Sequence, residues 1–129
     1  MVATHPENWR YLRDLSIALL RLSAIDHVEG KIHDAKANLI ESHEINRKLV
    51  KNDPLNVHWL IEKLKTRMAL EALKFDPSDY EQLLPLFKNF HHELRELEKQ
   101  FPENYVIITS LKEARIQIDQ IEGLIAEVK

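Results

Sequence analysis

Apolar residues recur at intervals of three and four along most of this chain, with charged residues between them. That spacing places the apolar side chains on one face of an α-helix. Two glycines and five prolines are too few turn residues for a sheet-rich fold. The pattern predicts an all-α fold with five helices, at about 6–28, 32–51, 56–75, 79–101 and 104–128.

The last two predicted helices have the most regular apolar stripes. The stripe of helix 4 runs from Leu83 to Phe101, and that of helix 5 from Ile107 to Val128, in steps of four and three. Such heptad stripes are typical of helices that pack against neighbouring helices. Helix 1 has two stripes, so we expect it to be covered on more than one side. They consist of Leu12, Leu15, Leu19 and Leu22, and of Ile17, Leu20, Ala24 and Val28.

The breaks between the helices carry their own signals. Gly30 is expected to end helix 1, because glycine adopts the left-handed backbone conformation at little cost. Asp76 or Ser78 is expected to cap helix 4. Pro85 lies near the start of that helix, where its missing N–H predicts a kink or a delayed start.

An internal repeat is visible in the spacing of three prolines. Pro6, Pro54 and Pro102 are 48 residues apart, and each is followed two residues later by an asparagine. The short connections between helices force antiparallel neighbours. We therefore predict one helical-repeat domain over residues 1–129. It comprises a hairpin at 6–51, a second hairpin at 56–101 and a terminal capping helix at 104–128.

Around the first predicted turn the chain resembles a tetratricopeptide repeat. Gly30 stands where that family ends its first helix, and Ala35 where a small residue lets the two helices touch. Leu19, Leu22 and Leu39 occupy large-residue positions of the motif. The departures are Asp26 in place of a tyrosine, Arg47 in place of a proline, Ser78 in place of the second glycine and Leu83 in place of the second alanine.

The resemblance implies a short array of stacked hairpins that is not catalytic and binds a protein or peptide. In such an array the inner surface of the first helices forms the binding groove. The alternative is that the same side chains contact other helices of the chain. Transferred by position, the groove would be lined by three rows of residues: Ile17, Leu20 and Ala24; Lys65, Met68 and Ala72; and Glu113, Ile116 and Gln120.

Charge and composition narrow the range of partners and locations. The formal net charge is −3, and the basic and acidic residues are interleaved without a basic block, which argues against nucleic acid and anionic membranes as partners. The first residues lack the pattern of a signal peptide, and no apolar run approaches the length of a membrane span. There are no cysteines. We therefore expect a cytoplasmic protein.

Metal binding and catalysis find little support in the sequence. His92 and Glu96 are one helical turn apart, a spacing that can hold zinc, with His91 beside them. No third ligand is fixed by the sequence, and a solvated helix face is the alternative. Phosphate loops, nucleophile elbows and zinc-protease motifs are absent from the sequence. We expect no enzyme activity and no cofactor.

Unpartnered apolar surface at the two ends is the strongest indication of function. Trp9, Tyr11 and the second stripe of helix 1 have no earlier hairpin to cover them, and helix 5 is rich in isoleucine on more than one side. We expect a protein-interaction or assembly scaffold, either as part of a longer array or as a homodimer through helix 1 or helix 5. The alternative is a self-contained helical bundle that regulates, or senses for, an enzyme.

Overall fold

The computed structural model describes residues 8–128, and every regular element in that range is an α-helix. The predicted all-α class with five helices is confirmed, and contacts between consecutive helices fit stacked hairpins. The helices are α1 (Trp9–Val28), α2 (Ile32–Asn52), α3 (Val57–Ala72), α4 (Tyr80–Gln100) and α5 (Tyr105–Val128). The predicted start of helix 1 at residue 6 lies outside the described residues.

The chain forms two compact units, with the boundary between Leu73 and Lys74. The first unit contains α1, α2 and α3, and the second contains α4 and α5. This boundary falls inside the stretch predicted as the hairpin 56–101. That hairpin and the single domain over 1–129 stay predictions.

In the first unit, α1 and α2 run antiparallel. Asp26, near the end of α1, accepts a hydrogen bond from Asn38 in the first half of α2. Ser16, earlier in α1, donates to Asn46, later in α2. Later residues of α1 thus bond earlier residues of α2, which is the antiparallel arrangement of the predicted hairpin.

The same reversal relates α2 to α3. Asn46 Nδ2 donates to the carbonyl oxygen of Glu62, and His43 Nδ1 lies 3.0 Å from Thr66 Oγ1. The middle helix α2 thus packs against both of its neighbours in the unit.

An apolar cluster closes one end of the first unit. Leu12 of α1 packs with Ile45 and Leu49 of α2, and Trp9 and Trp59 cover the cluster together with other half-buried leucines. The expectation that Trp9 lacks a partner is wrong, because its ring contacts this cluster. Burial of the aromatic rings adds a large apolar area to a small core.

The turn between α1 and α2 is built as predicted. Gly30 has a φ of +80°, a conformation that costs most residues with a side chain about 1–2 kcal/mol. The Gly30 N–H donates to the His27 carbonyl, and the Lys31 N–H donates to the Asp26 carbonyl. This pair of hydrogen bonds is the Schellman motif, which satisfies the last carbonyls of a helix.

The repeated asparagines are the residues that precede three of the helices. Asn56 Oδ1 accepts a hydrogen bond from the Trp59 N–H at 3.2 Å, and Asn104 Oδ1 accepts one from the Ile107 N–H at 3.2 Å. Asn8 holds the same position before α1, without a side-chain cap bond. Each cap satisfies one of the free amides at a helix start. The 48-residue spacing therefore reflects repeated helix starts.

The second unit is a pair of helices whose apolar stripes meet. Leu83, Phe90 and Leu94 of α4 are buried, as are most residues of the stripe predicted in α5. The pair is antiparallel, because Lys88 of α4 forms an ion pair with Glu122, late in α5. The predicted stripe of α5 extends too far, since Val128 is 82% exposed.

Three local predictions around the third and fourth helices are wrong. Helix α3 ends at Ala72 rather than at residue 75, and its last bond runs from the Leu73 N–H to the Ala69 carbonyl. The residue before α4 is Asp79, while Asp76 binds the Ser78 N–H and hydroxyl in a turn. Of the two effects predicted for Pro85, the delayed start is wrong, because α4 begins at Tyr80. The kink stays a prediction.

Candidate protein-interaction surfaces

Buried hydroxyl and amide groups cross the first unit from α1 to α3. Ser16 Oγ lies 2.7 Å from Asn46 Oδ1 and 2.8 Å from Ser42 Oγ. Asn46 Nδ2 in turn donates to the Glu62 carbonyl at 3.2 Å and to Thr66 Oγ1 at 3.4 Å. We call Ser16, Ser42, Asn46 and Thr66 the polar network. No buried side-chain nitrogen or oxygen in residues 8–128 lacks a partner, so the network joins three helices without the cost of unpaired polar atoms.

His43 and Thr66 form the closest approach to a nucleophile and base. His43 Nδ1 lies 3.0 Å from Thr66 Oγ1, and that hydroxyl donates to the Lys63 carbonyl at 3.1 Å. A catalytic hydroxyl has to be reached by substrate, whereas Thr66 is completely buried. The pair therefore has the geometry of a structural contact between α2 and α3.

Two neighbouring heptad stripes run along α1. The stripe that contains polar residues is buried, and the stripe that is entirely apolar is largely exposed, although apolar residues are usually the buried ones. The residues of the inner stripe face the interior of the first unit. Its positions follow steps of four, three, four and three, and include two serines and an aspartate. The inner stripe is Leu12, Ser16, Leu19, Ser23 and Asp26.

The outer stripe lies one residue earlier at each position and is apolar throughout. Tyr11, Leu22 and Ile25 expose 55%, 46% and 55% of their surface. The expectation that Leu22 shares one covered stripe with Leu12 is therefore wrong, since Leu12 is 4% exposed. The outer stripe is Tyr11, Leu15, Ala18, Leu22 and Ile25.

Local hydrogen bonds explain why the polar residues of α1 are turned inward. Asp26 Oδ2 accepts from Asn38 Nδ2 at 3.0 Å. Ser23 Oγ donates to the Leu20 carbonyl at 2.6 Å within the same helix. With these partners, the buried Ser23 and Asp26 avoid the desolvation cost of unpaired polar groups. The larger apolar residues of this half of α1 consequently remain outside.

The first two rows of the predicted groove lie in the first unit. Ile17 and Leu20 are half-buried and Ala24 is exposed, on a different side of α1 from the outer stripe. The row in α3, Lys65, Met68 and Ala72, is half-buried throughout. The Lys65 ammonium lies 3.5 Å from the Glu62 carboxylate.

The third row lies on the solvent side of α5 in the second unit. Glu113, Ile116 and Gln120 are all exposed, with Ile116 at 56%. The buried side of α5 contacts α4 instead, through Ile107, Ala114 and Ile118 among others. Membership of these nine residues in one binding groove stays a prediction.

His92 and Glu96, whose spacing can hold zinc, form an ordinary contact on the surface of α4. His92 Nε2 lies 3.7 Å from Glu96 Oε1, and the same carboxylate group receives Lys99 at 3.2 Å. Burial, together with Arg115 and Arg95, lowers the pKa of the neighbouring His91. Within residues 8–128, no three histidine or acidic side chains are grouped as metal ligands.

A groove with excess positive charge is lined by α2 and α3. Its volume is about 360 Å³, and four cationic side chains line it with a single carboxylate, in a chain whose net charge is −3. The sequence does not reveal this cluster, because one of its lysines comes from the next helix. The lining residues are Glu44, Arg47, Lys48, Val50, Lys51 and Lys63.

The charges of this groove act on His43. Burial lowers the pKa of His43 below its usual 6.5, the Glu44 carboxylate raises it, and Lys63, Arg47 and Arg67 lower it again. Part of the groove's charge is already balanced, because Glu44 forms an ion pair of 3.1 Å with Arg47. The net effect keeps the His43 ring neutral over a wider pH range.

No protein-family model, curated protein or solved structure matches this chain. None of the described helices is both long enough and apolar enough to cross a membrane.

Sequence reasoning misses the outer stripe of α1 although its signal is present. Tyr11, Leu15, Ala18, Leu22 and Ile25 follow the same heptad steps that identify α4 and α5. The leucine stripe expected from the sequence combines Leu12 and Leu19 of the inner stripe with Leu15 and Leu22 of the outer stripe. The heptad steps of four and three, applied to all positions of α1, separate the two stripes.

Proposed function

We propose that this protein is a non-catalytic interaction or assembly module that binds a helix on the outer stripe of α1. The observation that carries the proposal is the exposure of Tyr11, Leu22 and Ile25 on one helix while Ser23 and Asp26 of the same helix are buried. A contiguous apolar surface in water is a typical mark of a partner site. In α1 the apolar side chains remain exposed while polar side chains of the same helix are buried.

The spacing of the stripe favours a helical partner. Steps of four and three match the positions that one helix presents to another in a coiled coil. Leu15 is half-buried and Ala18 is small, so the middle of the stripe offers a shallow depression between larger ends. Amphipathic helices dock into surfaces of this kind through apolar residues at the same intervals.

We also propose that α1 and α2 of the first unit form a degenerate hairpin of the tetratricopeptide type. In support, Gly30 has the positive φ that such a turn needs, and Ala35 has no exposed surface. Asp26, where the family has a tyrosine, is buried and binds Asn38. The substitution is accommodated by a hydrogen bond in place of an aromatic contact.

Photo-crosslinking in cells that express the chain tests the interaction proposal. A photoreactive phenylalanine derivative replaces Leu22 in one variant and Ala24 in a control, since both positions are exposed on α1 but on different sides. We expect an adduct of defined mass from position 22 and much less from position 24. Equal labelling from both positions, or none, would refute the proposal.

A further inference from the structure

We propose that the helix bound by the outer stripe is α1 of a second copy, running antiparallel to the first. This inference rests on the proposed function and identifies its partner. Both the spacing and the charges of α1 are complementary to themselves in one register. The pairing is a two-fold symmetric contact, in which each copy offers the same surface.

The register follows from the heptad positions. The two residues joined by a three-residue step are the a and d positions of a heptad. In an antiparallel pair, an a position of one helix lies opposite a d position of the other. Leu15 of one copy then lies opposite Ala18 of the second, and Tyr11 opposite Leu22. By symmetry, each contact occurs twice, which gives four layers. Every layer pairs a larger side chain with a smaller one, so the two helices interdigitate without voids.

The charges beside the stripe select this register. Asp14 and Arg21 flank the outer stripe on the same side of α1, one heptad apart. In the proposed register, Asp14 of each copy lies beside Arg21 of the other. Among the described residues, Asp14 makes a long contact of 3.9 Å with the adjacent Arg13, and its side chain is 63% exposed. It is therefore accessible to the second copy. Shifting the antiparallel pair by one heptad would instead bring the two Arg21 side chains together.

A parallel pair is disfavoured by the same positions. It would align Tyr11 with Tyr11 and Leu22 with Leu22, and each flanking charge would face the second copy's inner stripe. That stripe is buried in its own unit, as the burial of Ser16 and Ser23 shows. The antiparallel arrangement alone combines four of the five stripe positions with the flanking charges. Since four layers form a small interface, we expect a weak dimer that dissociates on dilution.

Disulfide trapping tests the register in a chain that has no cysteine of its own. Two full-length variants, Tyr11→Cys and Leu22→Cys, are mixed and oxidised over a concentration series, with a mass tag on one of them. A disulfide needs the two Cα atoms within about 7 Å. We expect the mixed disulfide to form. We expect little of either homodisulfide, because like positions of the two copies are roughly 16 Å apart along the helix axis in this register.

The control is Ala24→Cys, which is also exposed on α1 but lies away from the stripe. Its homodisulfide measures random collision. Homodisulfides of the Tyr11→Cys variant above that level would show a parallel pair and overturn the proposal. A mixed disulfide at or below the control level would overturn it as well.

Charge exchange supplies an independent readout. In the background of the two cysteine variants, Asp14→Arg or Arg21→Asp alone should lower the yield of mixed disulfide by roughly fivefold, since opposite charges become like charges. Combining both substitutions in one chain should restore it. Unchanged yields would refute the register. Circular dichroism confirms that each variant is folded.

The two proposals fail separately. If the photoreactive group at position 22 is crosslinked to a different protein and no mixed disulfide forms, the interaction surface stands and self-pairing is wrong. If neither experiment gives a specific product, both are wrong. An adduct with twice the mass of the chain, together with the mixed disulfide, supports both.

Discussion

The two units bury different chemistry between their helices. In the first, hydroxyl and amide groups lie among the leucines, and Ser16, Asn46 and Thr66 are almost completely buried. In the second, the buried residues of α4 and α5 are apolar except for Ser110. Hydrophobic contacts are non-directional, whereas each hydrogen bond requires one partner at one distance. The first unit is therefore specified by particular atom pairs, and the second mainly by the match of two apolar stripes.

Replacing Asn46 with leucine should produce the largest effect that separates the two units. The apolar side chain has similar size but leaves Ser16 Oγ and the Glu62 carbonyl without the hydrogen bonds they make to Asn46. We expect a loss of about 1–3 kcal/mol in the free energy of unfolding, measured by urea denaturation. Asn52→Leu, at the exposed last residue of the same helix, is the matched control. A stabilised Asn46→Leu protein would mean that the first unit packs like the second.

The two glycines should respond to alanine with opposite signs. Gly30 in the first unit has a φ of +80°, while Gly123 in the second lies inside α5 with open space where a Cβ would lie. We expect Gly30→Ala to cost about 1 kcal/mol because of backbone strain. Gly123→Ala should gain up to about 1 kcal/mol from helix propensity. Thermal unfolding of both variants measures this, and a shift in the same direction for both would contradict the backbone assignments.

Acid should weaken the first unit through His43, and this is the smallest effect we predict. Its pKa in the folded state is below the usual 6.5, so the unfolded chain binds the proton more readily. The contribution is present in full above pH 6.5 and is lost as the pH falls through the folded pKa. We expect the His43→Gln variant to lose less stability between neutral and mildly acidic pH.

The measurement compares the wild type with the His43→Gln variant, and the histidine of the second unit with a shifted pKa is the same in both. His91 has a pKa shifted in the same direction, and its contribution is common to the wild type and the His43→Gln variant. The difference between their melting temperatures as a function of pH therefore isolates His43. Equal pH dependence in the two proteins would show that His43 is not held neutral by its contacts.

The apolar pattern predicts the second unit better than the first. In α4 and α5, Leu94 and Ile118 lie on unbroken heptad stripes and are buried as expected. In α1, the buried positions include Ser16, Ser23 and Asp26, and no hydrophobicity pattern identifies a polar residue as buried. The burial of Ser16 and Asp26 depends on partners such as Ser42 and Asn38, which come from another helix.

The candidate site is predicted by the sequence only in its general nature. Exposed apolar surface on helix 1 is expected from the pattern, but the predicted residues include Ile17 and Leu20, which are half-buried. The outer stripe is exposed because the inner stripe holds the polar residues. Which of two adjacent stripes faces α2 is decided by hydrogen bonds between helices, and sequence spacing alone does not contain that information.

The position of Asn46 has a consequence for how the first unit assembles. In its side chain, Oδ1 accepts a hydrogen bond from Ser16 of α1, and Nδ2 donates one to the Glu62 carbonyl of α3. A fragment truncated after the second helix would keep the bond from Ser16 to Asn46 Oδ1 but expose Asn46 Nδ2 to water. The apolar cluster around Leu49 would also lose its contact with Trp59. We therefore expect the three helices to fold cooperatively, with amide hydrogen exchange of α2 governed by a single opening event.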